Sequence, residues 1–430
     1  MNATPQALEG VKVVEFGGYA AGPHIGKMLA NFGATVVHVE SMSRPDGFRM
    51  QYPPYKDGKP GVNSGGCFAY FNDSKYGVTL ELKHPDGLAL ARKLTDWCDI
   101  VIENMRPGAI GRLGLGYVTL TQTNPGLIML STCNMGQTGP RAQTPGFGSQ
   151  LSAFAGFCDL TGEAQGPPML LYGPYIDFVA STLGAVAVLA ALEKRRRTGA
   201  GSFLDVSQYE CGLMFLAGPL LDYHTHGKLA ERSGNDDPVA APHGAWPCRN
   251  GGWLAVSCWS DAEFSRLCEA IAQPDLVRDA RFATCAGRKS HVALIGDAIA
   301  DWTRTRDAHA AAELLQRAGV HAHAVNTIAD LFTDSQLGAR NLWRRRLHPV
   351  IGEQAYCLPA FDLSDTPGDI TMAAPMLGEH NARVFRDVLG LDEQEFNGVR
   401  DRGAMDSLGG AVWMREISSA TSSSFSPLIM

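Results

Sequence analysis

Short apolar runs alternate with helix-type patterns along the first half of the chain. The runs have the length and composition of buried strands and lie at residues 11–16, 35–40, 78–82, 99–103, 127–131 and 202–206. The turn from Gly17 to Gly22 leads into a helix with Pro23 as its first residue, since proline suits a helix start. Strand and helix in alternation predict an α/β fold with a Rossmann-like open parallel sheet in a large domain.

The second half of the chain no longer shows alternating strand and helix patterns. Residues 230–245 are rich in Gly, Asn, Asp, Pro and Ala, as in a loop or linker, and helical patterns dominate from Asp261 to Ala318. We therefore predict a large domain at 1–225, a smaller α-rich domain at 226–330 and a return to the large domain at 331–406. The serine-rich residues 407–430 are predicted to form a mobile tail.

Composition narrows the classes of function. The net charge of −7 argues against a nucleic-acid partner. The 10 cysteines form no C-x-x-C pair and the histidines show no H-E-x-x-H spacing, so we expect neither a metal site nor a redox cofactor. The N-terminus lacks the zones of a signal peptide, and the longest apolar stretch falls short of the ~20 residues of a membrane span. A cytoplasmic enzyme without a membrane partner is expected.

Asp177 is the most informative residue of the pattern. It precedes a stretch from Phe178 to Leu192 that is apolar apart from Ser181 and Thr182, and no further charge appears until Glu193. A carboxylate at the mouth of a buried helix is a candidate nucleophile for covalent catalysis. It is equally the kind of residue that caps a helix N-terminus, and the positive end of the helix favours the ionised form in both roles.

A dinucleotide site is disfavoured by the first turn. Gly17, Gly18 and Gly22 approach the G-x-G-x-x-G pattern, but Tyr19 stands where its second glycine is required. Glu40 stands at the position of a ribose-binding acid, which does not compensate for the broken pattern.

Several ordered segments resemble the class III (CaiB/BaiF-type) coenzyme A transferases across roughly residues 8–400, as judged by element order. Each segment alone is weakly specific, but six or more of them in the same order make a specific match. They are residues 8–16 with Ala21-Gly22-Pro23, residues 36–40, residues 72–83, Glu103-Asn104-Met105-Arg106-Pro107-Gly108, Gly136-Gln137-Thr138-Gly139-Pro140, Asp177 with its helix, residues 197–201, and residues 374–380.

The resemblance implies a chemistry in which Asp177 attacks an acyl-CoA, becomes an aspartyl-CoA thioester and passes CoA to a free carboxylic acid, with succinyl-CoA as a possible donor. Coenzyme A is then a substrate, and no cofactor is required. The resemblance also implies an interlocked dimer of ring-like subunits, homomeric or heteromeric. By matching segments, the residues expected to contact CoA are Tyr19, Ala20, Ala21, Leu80, Lys83, Asn104, Met105, Arg106, Arg112 and Gln137.

Two departures affect the choice of reaction. Formyl-CoA transferases carry Gln where Ala20 stands here, so formyl-oxalate specificity is disfavoured. The related α-methylacyl-CoA racemases carry a catalytic His where Phe147 stands, so an isomerase would lose one of its two bases. A CoA transferase is the preferred prediction. A racemase-like isomerase and a non-catalytic subunit of a heteromeric transferase remain the alternatives.

Overall fold

The computed structural model describes residues 6–406, and these residues divide into two compact units. The first comprises residues 6–155, 172–217 and 341–406, and the second comprises residues 156–171 and 218–340. The sequence-based boundaries, 225 and 330, differ from these limits, and residues 156–171 group with the second unit rather than the first. The predicted tail at 407–430 lies outside the described residues.

The first part of the chain builds the larger unit from alternating strands and helices. Its strands are β1 (Lys12–Phe16), β2 (Thr35–Glu40), β3 (Tyr76–Thr79), β4 (Ile100–Glu103), β5 (Ile128–Cys133) and β6 (Ser202–Ser207). Its helices are α1 (Ala21–Ala30), α2 (Gly47–Met50), α3 (Gly66–Asn72), α4 (Pro85–Trp97), α5 (Ala109–Arg112), α6 (Tyr117–Leu120), α7 (Gly148–Phe154), α8 (Tyr175–Thr198) and α9 (Gln208–Leu213). Helix α1 begins two residues before Pro23, which the pattern had placed first.

In the described part of the chain, the six strands form one parallel sheet in the order β3-β2-β1-β4-β5-β6. The open parallel α/β sheet predicted from the sequence is therefore confirmed. The strand order reverses between β1 and β4, and ligands of open α/β sheets bind outside the carboxyl ends of the strands at such a point. The side chains that follow β1 and β4 are thereby placed at the centre of that edge.

Helices cover both faces of the sheet. On one face Val14 and Phe16 of β1 pack in a cluster with Leu90 and Leu94 of α4. On the other face Val13 packs in a cluster with Ile25 of α1 and Val188 of α8. The central strands are buried on both faces because each face meets helices, which explains their largely apolar runs, whereas β6 at the edge of the sheet is exposed at Phe203 and Asp205.

Helix α8 is longer than its apolar core suggests. It runs from Tyr175 to Thr198, and Gly199 ends it in the left-handed conformation after the basic residues Arg195, Arg196 and Arg197. By length and composition alone it could cross a membrane. Its inner face, however, is buried along its length at Ile176, Val179, Ala180, Ser181, Gly184, Ala185, Val188 and Ala191, as expected for a core helix on a sheet.

The second unit combines a small antiparallel sheet with helices. Its strands are β7 (His243–Pro247), β8 (Trp253–Ser257) and β9 (His321–Ala324), paired in that order. Its helices are α10 (Ala217–His226, which begins at the last residue of the first unit), α11 (Asp261–Ala270), α12 (Asp275–Arg278), α13 (Cys285–Ser290), α14 (Val292–Thr303), α15 (Ala308–Arg317), α16 (Ile328–Leu331) and α17 (Ser335–Ala339). The sequence from Gln208 to Tyr223 has the pattern of one continuous helix, but it is divided here into α9 and α10.

The remaining residues return to the first unit. They form an antiparallel pair, β10 (Trp343–His348) with β11 (Gly352–Cys357), then a π-helical segment (Arg383–Val388) and α18 (Glu393–Asp401). Val384 and Phe385 join the same core cluster as β1. The hydrophobic pattern had indicated strands and loops beyond His348, and α18 was not predicted.

Candidate active site

The carboxyl edge of the parallel sheet collects most of the residues singled out in the sequence. Tyr19 follows β1, and Asn104 and Met105 follow β4; Gln208, which was not among the predicted residues, follows β6. Two neighbouring cavities open at this edge, and both are lined by Tyr19 and Met105. These two side chains therefore stand where the cavities meet, at the strand-order reversal.

The turn after β1 is held by side chains from other segments. The Asn104 amide accepts a hydrogen bond from the Gly18 backbone N–H at 3.1 Å and donates one to the Gly18 carbonyl at 2.7 Å. Tyr19 has a φ of 62°, which a residue with a Cβ rarely adopts, and its N–H donates to the Asp46 carboxylate at 3.0 Å. Asn104 and Asp46 thus stabilise the conformation that points Tyr19 at the cavities.

The larger cavity has a volume of about 610 Å³ and is surrounded by the ends of β1, β2, β3 and β4. Of the predicted contacts, Leu80, Lys83 and Arg112 line it together with Tyr19 and Met105. Arg44 also lines it and was missed, because its surroundings carry no pattern that separates it from an ordinary surface arginine. Lys83, Arg112 and Arg44 are all solvent-exposed, so they present hydrated positive charge at the rim of this cavity.

The smaller cavity, of about 350 Å³, contains Asp177. Ala20, Asn104 and Arg106 of the predicted set line it with Tyr19 and Met105. The opposite wall comes from β5 and the segment after it, which include Cys133, Asn134 and Phe147. The Phe147 ring packs edge-on against the Tyr19 ring, with centroids 5.6 Å apart.

Asp177 lies in the first turn of α8, but it is not a cap. The helix begins two residues earlier, with Pro174 in the N-cap position, and the Asp177 N–H bonds to the Pro174 carbonyl at 3.1 Å. The interpretation of Asp177 as an N-cap residue is therefore wrong. Burial raises its pKa to about 7, although its own backbone N–H favours the charged form.

Gly148 allows the Asp177 carboxylate to occupy its place. A Cβ atom at position 148 would lie 1.9 Å from Asp177 Oδ2 and 3.1 Å from the Pro174 Cα atom. Such distances exclude any side chain at position 148 without displacement of the carboxylate. The glycine at position 148 therefore has a steric reason in this structure.

Two predicted residues do not line either cavity. Ala21 is 1% exposed and buried in the first turn of α1. The Gln137 backbone N–H donates to the Asp205 carboxylate, and its side-chain amide lies 3.6 Å from Cys133 Sγ, behind the cavity wall. Both follow strands in the sequence, but the turns carry their side chains away from the open space.

The lining of the smaller cavity suits nucleophilic rather than two-base chemistry. Asp177 is the carboxylate in that lining, which includes neither histidine nor lysine among the described residues. Burial raises the pKa of the Cys133 thiol to about 11, so it would not act as a base near neutral pH. Among residues 6–406 there is also no group of three or more His, Cys, Asp or Glu side chains that could hold a metal ion.

Comparison with known proteins agrees with this geometry. The model of CoA-transferase family III matches residues 8–381. The chain belongs to CoA-transferase family III. It is 35% identical over 391 residues to the succinyl-CoA–D-citramalate CoA-transferase of Chloroflexus aurantiacus, covering 91% of this chain and 96% of the relative. It is 31% identical to the succinate–glutarate CoA-transferase of Agrobacterium fabrum, covering 89% of this chain and 95% of the relative.

A solved CaiB/BaiF family protein from Brucella suis has a similar fold. It is 30% identical in sequence and superimposes with a TM-score of 0.82, covering 89% of this chain and 99% of that one. The resemblance noted in the sequence is thereby confirmed over nearly the whole chain. The protein is a family III CoA-transferase enzyme.

Proposed function

We propose that this enzyme moves CoA from an acyl-CoA thioester, with succinyl-CoA as the first donor to test, to a free carboxylic acid through an aspartyl-CoA thioester on Asp177. One observation carries the proposal. In a chain of this family, Asp177 is the carboxylate of a 350 Å³ cavity that shares Tyr19 and Met105 with a larger, cation-lined cavity. The arrangement offers a small space for the acid and a larger one for CoA.

The proposed reaction proceeds through alternating anhydrides and thioesters. An Asp177 carboxylate oxygen attacks the thioester carbonyl carbon, the C–S bond breaks, and CoA leaves as a thiolate. The thiolate attacks the aspartyl carbonyl carbon of the anhydride and releases the donor acid as its carboxylate. The acceptor carboxylate then attacks the aspartyl thioester, and the expelled thiolate attacks the acceptor acyl carbon, which regenerates the Asp177 carboxylate.

Partial burial of Asp177 serves this chemistry in two ways. A partly desolvated carboxylate is a better nucleophile than a fully hydrated one, and a small cavity limits access of water to the anhydride. The cost is a raised pKa, about 7, so that only part of the free enzyme carries the charged form at neutral pH. We expect kcat/KM for the donor to rise as the pH increases through about 7 and then to level off.

Binding of the nucleotide end of CoA is assigned to the larger cavity. Lys83, Arg112 and Arg44 provide positive charge at its exposed rim, and Leu80 and Met105 provide apolar surface. Phosphate groups pair well with arginine and lysine side chains. The pantetheine arm would then pass Tyr19 and Met105 to bring the thioester to Asp177.

The test is to trap the covalent intermediate. The purified enzyme is incubated with succinyl-CoA without an acceptor, quenched in borohydride or hydroxylamine, and examined by intact and peptide mass spectrometry. The expected result is a modification on the peptide that contains Asp177. Asp177→Ala should lose the modification and reduce CoA exchange by at least about 10³-fold, as expected when a nucleophile is removed.

The matched control is Glu9→Ala, which removes an exposed carboxylate from the same unit. It should keep both the modification and the exchange rate. Exchange at the wild-type rate by Asp177→Ala, or a stable modification at another residue, would contradict the assignment of the nucleophile.

A further inference from the structure

Most polar side chains around the smaller cavity are already engaged. The Asn134 amide nitrogen donates to the Gly146 carbonyl at 3.0 Å. The Gln143 amide nitrogen donates to the Pro107 carbonyl at 3.3 Å, and Asn104 holds Gly18 as described. In each of these side chains the amide already has a partner in the protein, which fixes its place in the wall.

Gln208 is different. It lines the same cavity as Asp177 and is only 4% exposed, yet its side-chain oxygen Oε1 is buried without a hydrogen-bond partner among residues 6–406. Leaving a buried acceptor unpaired costs about 1–3 kcal/mol, and nearly all such groups in folded proteins are paired. Because Gln208 lines the cavity of Asp177, a molecule bound there can supply the donor that this acceptor lacks.

The Gln208 side chain has no role in the local structure of its helix. It is the first residue of α9, and the cap of that helix is Ser207, whose hydroxyl accepts a hydrogen bond from the Glu210 N–H at 3.2 Å. The Gln208 amide is therefore not needed to complete the helix start. Its position follows from the end of β6, which carries it to the carboxyl edge of the sheet.

Arg106 provides a second free group in this cavity. Its side chain is exposed and forms no ion pair or hydrogen bond with the other described residues. It lines the cavity of Asp177 and does not line the larger one, where Lys83, Arg112 and Arg44 lie. A guanidinium group in this place suits a carboxylate, which it can bind through two parallel hydrogen bonds.

We propose that Gln208 and Arg106 select a hydroxylated dicarboxylic acid as the acid partner of this enzyme. The hydroxyl group donates a hydrogen bond to Gln208 Oε1, Arg106 binds the carboxylate that does not react, and the other carboxylate meets Asp177. This inference rests on the proposed function and names its substrate class. The cavity volume of about 350 Å³ lies at the small end of the ~300–1,000 Å³ of ligand pockets, which suits a compact acid.

Relatives of this chain are named for hydroxylated acids, D-citramalate and L-malate, and for glutarate, which has no hydroxyl, so the test must separate the two kinds of acid. The test compares acids that differ by one hydroxyl group: citramalate against methylsuccinate, and 2-hydroxyglutarate against glutarate, with both enantiomers of each chiral acid. Initial rates of CoA transfer from succinyl-CoA give kcat/KM for each acid. We expect the wild-type enzyme to prefer the hydroxylated member of a pair by about 10-fold or more.

Gln208→Met removes the acceptor and keeps the length of the side chain. It should lower kcat/KM for the hydroxylated acid about 10- to 100-fold more than for its deoxy partner. Arg106→Met should raise KM for dicarboxylic acids about 10-fold or more and affect a monocarboxylic acid such as butyrate less. Gln122→Met, an exposed glutamine in the same unit, is the folding control and should leave every ratio unchanged.

Two results would overturn the inference. One is equal use of both members of each pair by the wild-type enzyme. The other is an equal loss for both members in Gln208→Met, which would place the amide against the pantetheine arm instead. Either result is compatible with a trapped adduct at Asp177, whereas absence of the adduct and of transfer to any acid would contradict the proposed function itself.

Discussion

The two cavities at the carboxyl edge of the sheet differ in how they hold charge. The larger cavity, at the ends of β3, β2, β1 and β4, presents exposed cations that remain hydrated until a ligand arrives. The smaller cavity, at the ends of β1, β4, β5 and β6, holds a partly buried carboxylate whose pKa is raised to about 7. Hydrated charges favour binding and release, and a desolvated charge favours bond formation, so the proposed function assigns the two tasks to different cavities.

The boundary between the cavities is as informative as their linings. Tyr19 and Met105 contribute to both, and the conformation of Tyr19 depends on Asp46 from the segment after β2. Gly47 leaves room for the Tyr19 ring, because a Cβ at position 47 would lie 2.3 Å from two of the ring atoms. A single aromatic residue at the strand-order reversal therefore lies beside both the proposed path of CoA and the proposed nucleophile.

Among the variants that test this difference between the two cavities, Gly148→Ala is expected to have the largest effect. The added methyl group would displace the Asp177 carboxylate, and misplacement of a reacting group by about 1 Å can reduce a rate about 10²-fold. We expect kcat to fall by about that factor with a small change in KM for the donor, as measured by steady-state kinetics.

Gly338→Ala is the matched control, because a Cβ at that helical glycine would meet nothing within 4 Å. It should retain wild-type kinetics. A Gly148→Ala enzyme with unchanged kcat would show that the carboxylate can move without loss, contrary to the proposed role of its position.

A smaller effect is expected from substitutions in the lining of the larger cavity. Lys83→Ala and Arg112→Ala should each raise KM for succinyl-CoA about 10-fold and change kcat little, because they remove phosphate contacts and leave the reacting carboxylate in place. KM should also become less dependent on salt concentration in both variants.

Lys59→Ala removes an exposed lysine that does not line either cavity and should behave as the wild type. A wild-type KM for succinyl-CoA in Lys83→Ala and Arg112→Ala, as in Lys59→Ala, would exclude the larger cavity as the site of the CoA phosphates.

The smallest expected effect concerns stability. The pKa of Asp177 is about 7 in the folded protein, above its ordinary value of 3.8, so the folded state binds the proton more tightly than the unfolded state. The free energy of unfolding therefore falls as the pH rises from about 4 to about 7 and stays low above that range. Asp177→Asn removes the charge and should stabilise the protein by on the order of 1–3 kcal/mol at pH 8.

Urea unfolding at pH 8 and at pH 5 measures this difference, which should shrink at the lower pH. Mass spectrometry must show that the asparagine has not reverted to aspartate. Glu9→Gln, in an exposed part of the same unit, should shift neither midpoint. A loss of stability in Asp177→Asn at pH 8 would mean that the carboxylate is held by favourable contacts rather than strained by burial.

Local patterns in the sequence were sufficient to predict the parallel sheet. Strands that are buried on both faces are largely apolar, so they can be identified without knowing which strands they pair with. The boundaries of β2 were predicted as they occur. The division of the helix after Gln208 was missed, since the residues between α9 and α10 remain apolar and carry no proline or asparagine that would mark a break.

The candidate site was predictable where a residue follows a strand directly. Tyr19, Asn104 and Met105 reach the cavities for that reason, as the carboxyl ends of parallel strands meet at one edge. The resemblance to the family also placed Ala21 and Gln137 at the site, yet the turns that contain them direct their side chains elsewhere. Their orientation depends on backbone angles over two or three residues, which a strand pattern does not contain.

By itself, the sequence determined the class of the fold, the family and the carboxylate on which the chemistry is proposed to depend. These follow from apolar periodicity, from ordered motifs and from one isolated charge, all of which are local properties of the chain. Only the tertiary structure decided that Arg106 lies apart from Lys83 and Arg112, that Gly148 makes room for Asp177 and that Gln208 lacks a partner. Each of these depends on distances between segments far apart in the chain, because burial and hydrogen-bond satisfaction are properties of packed neighbours and not of sequence order.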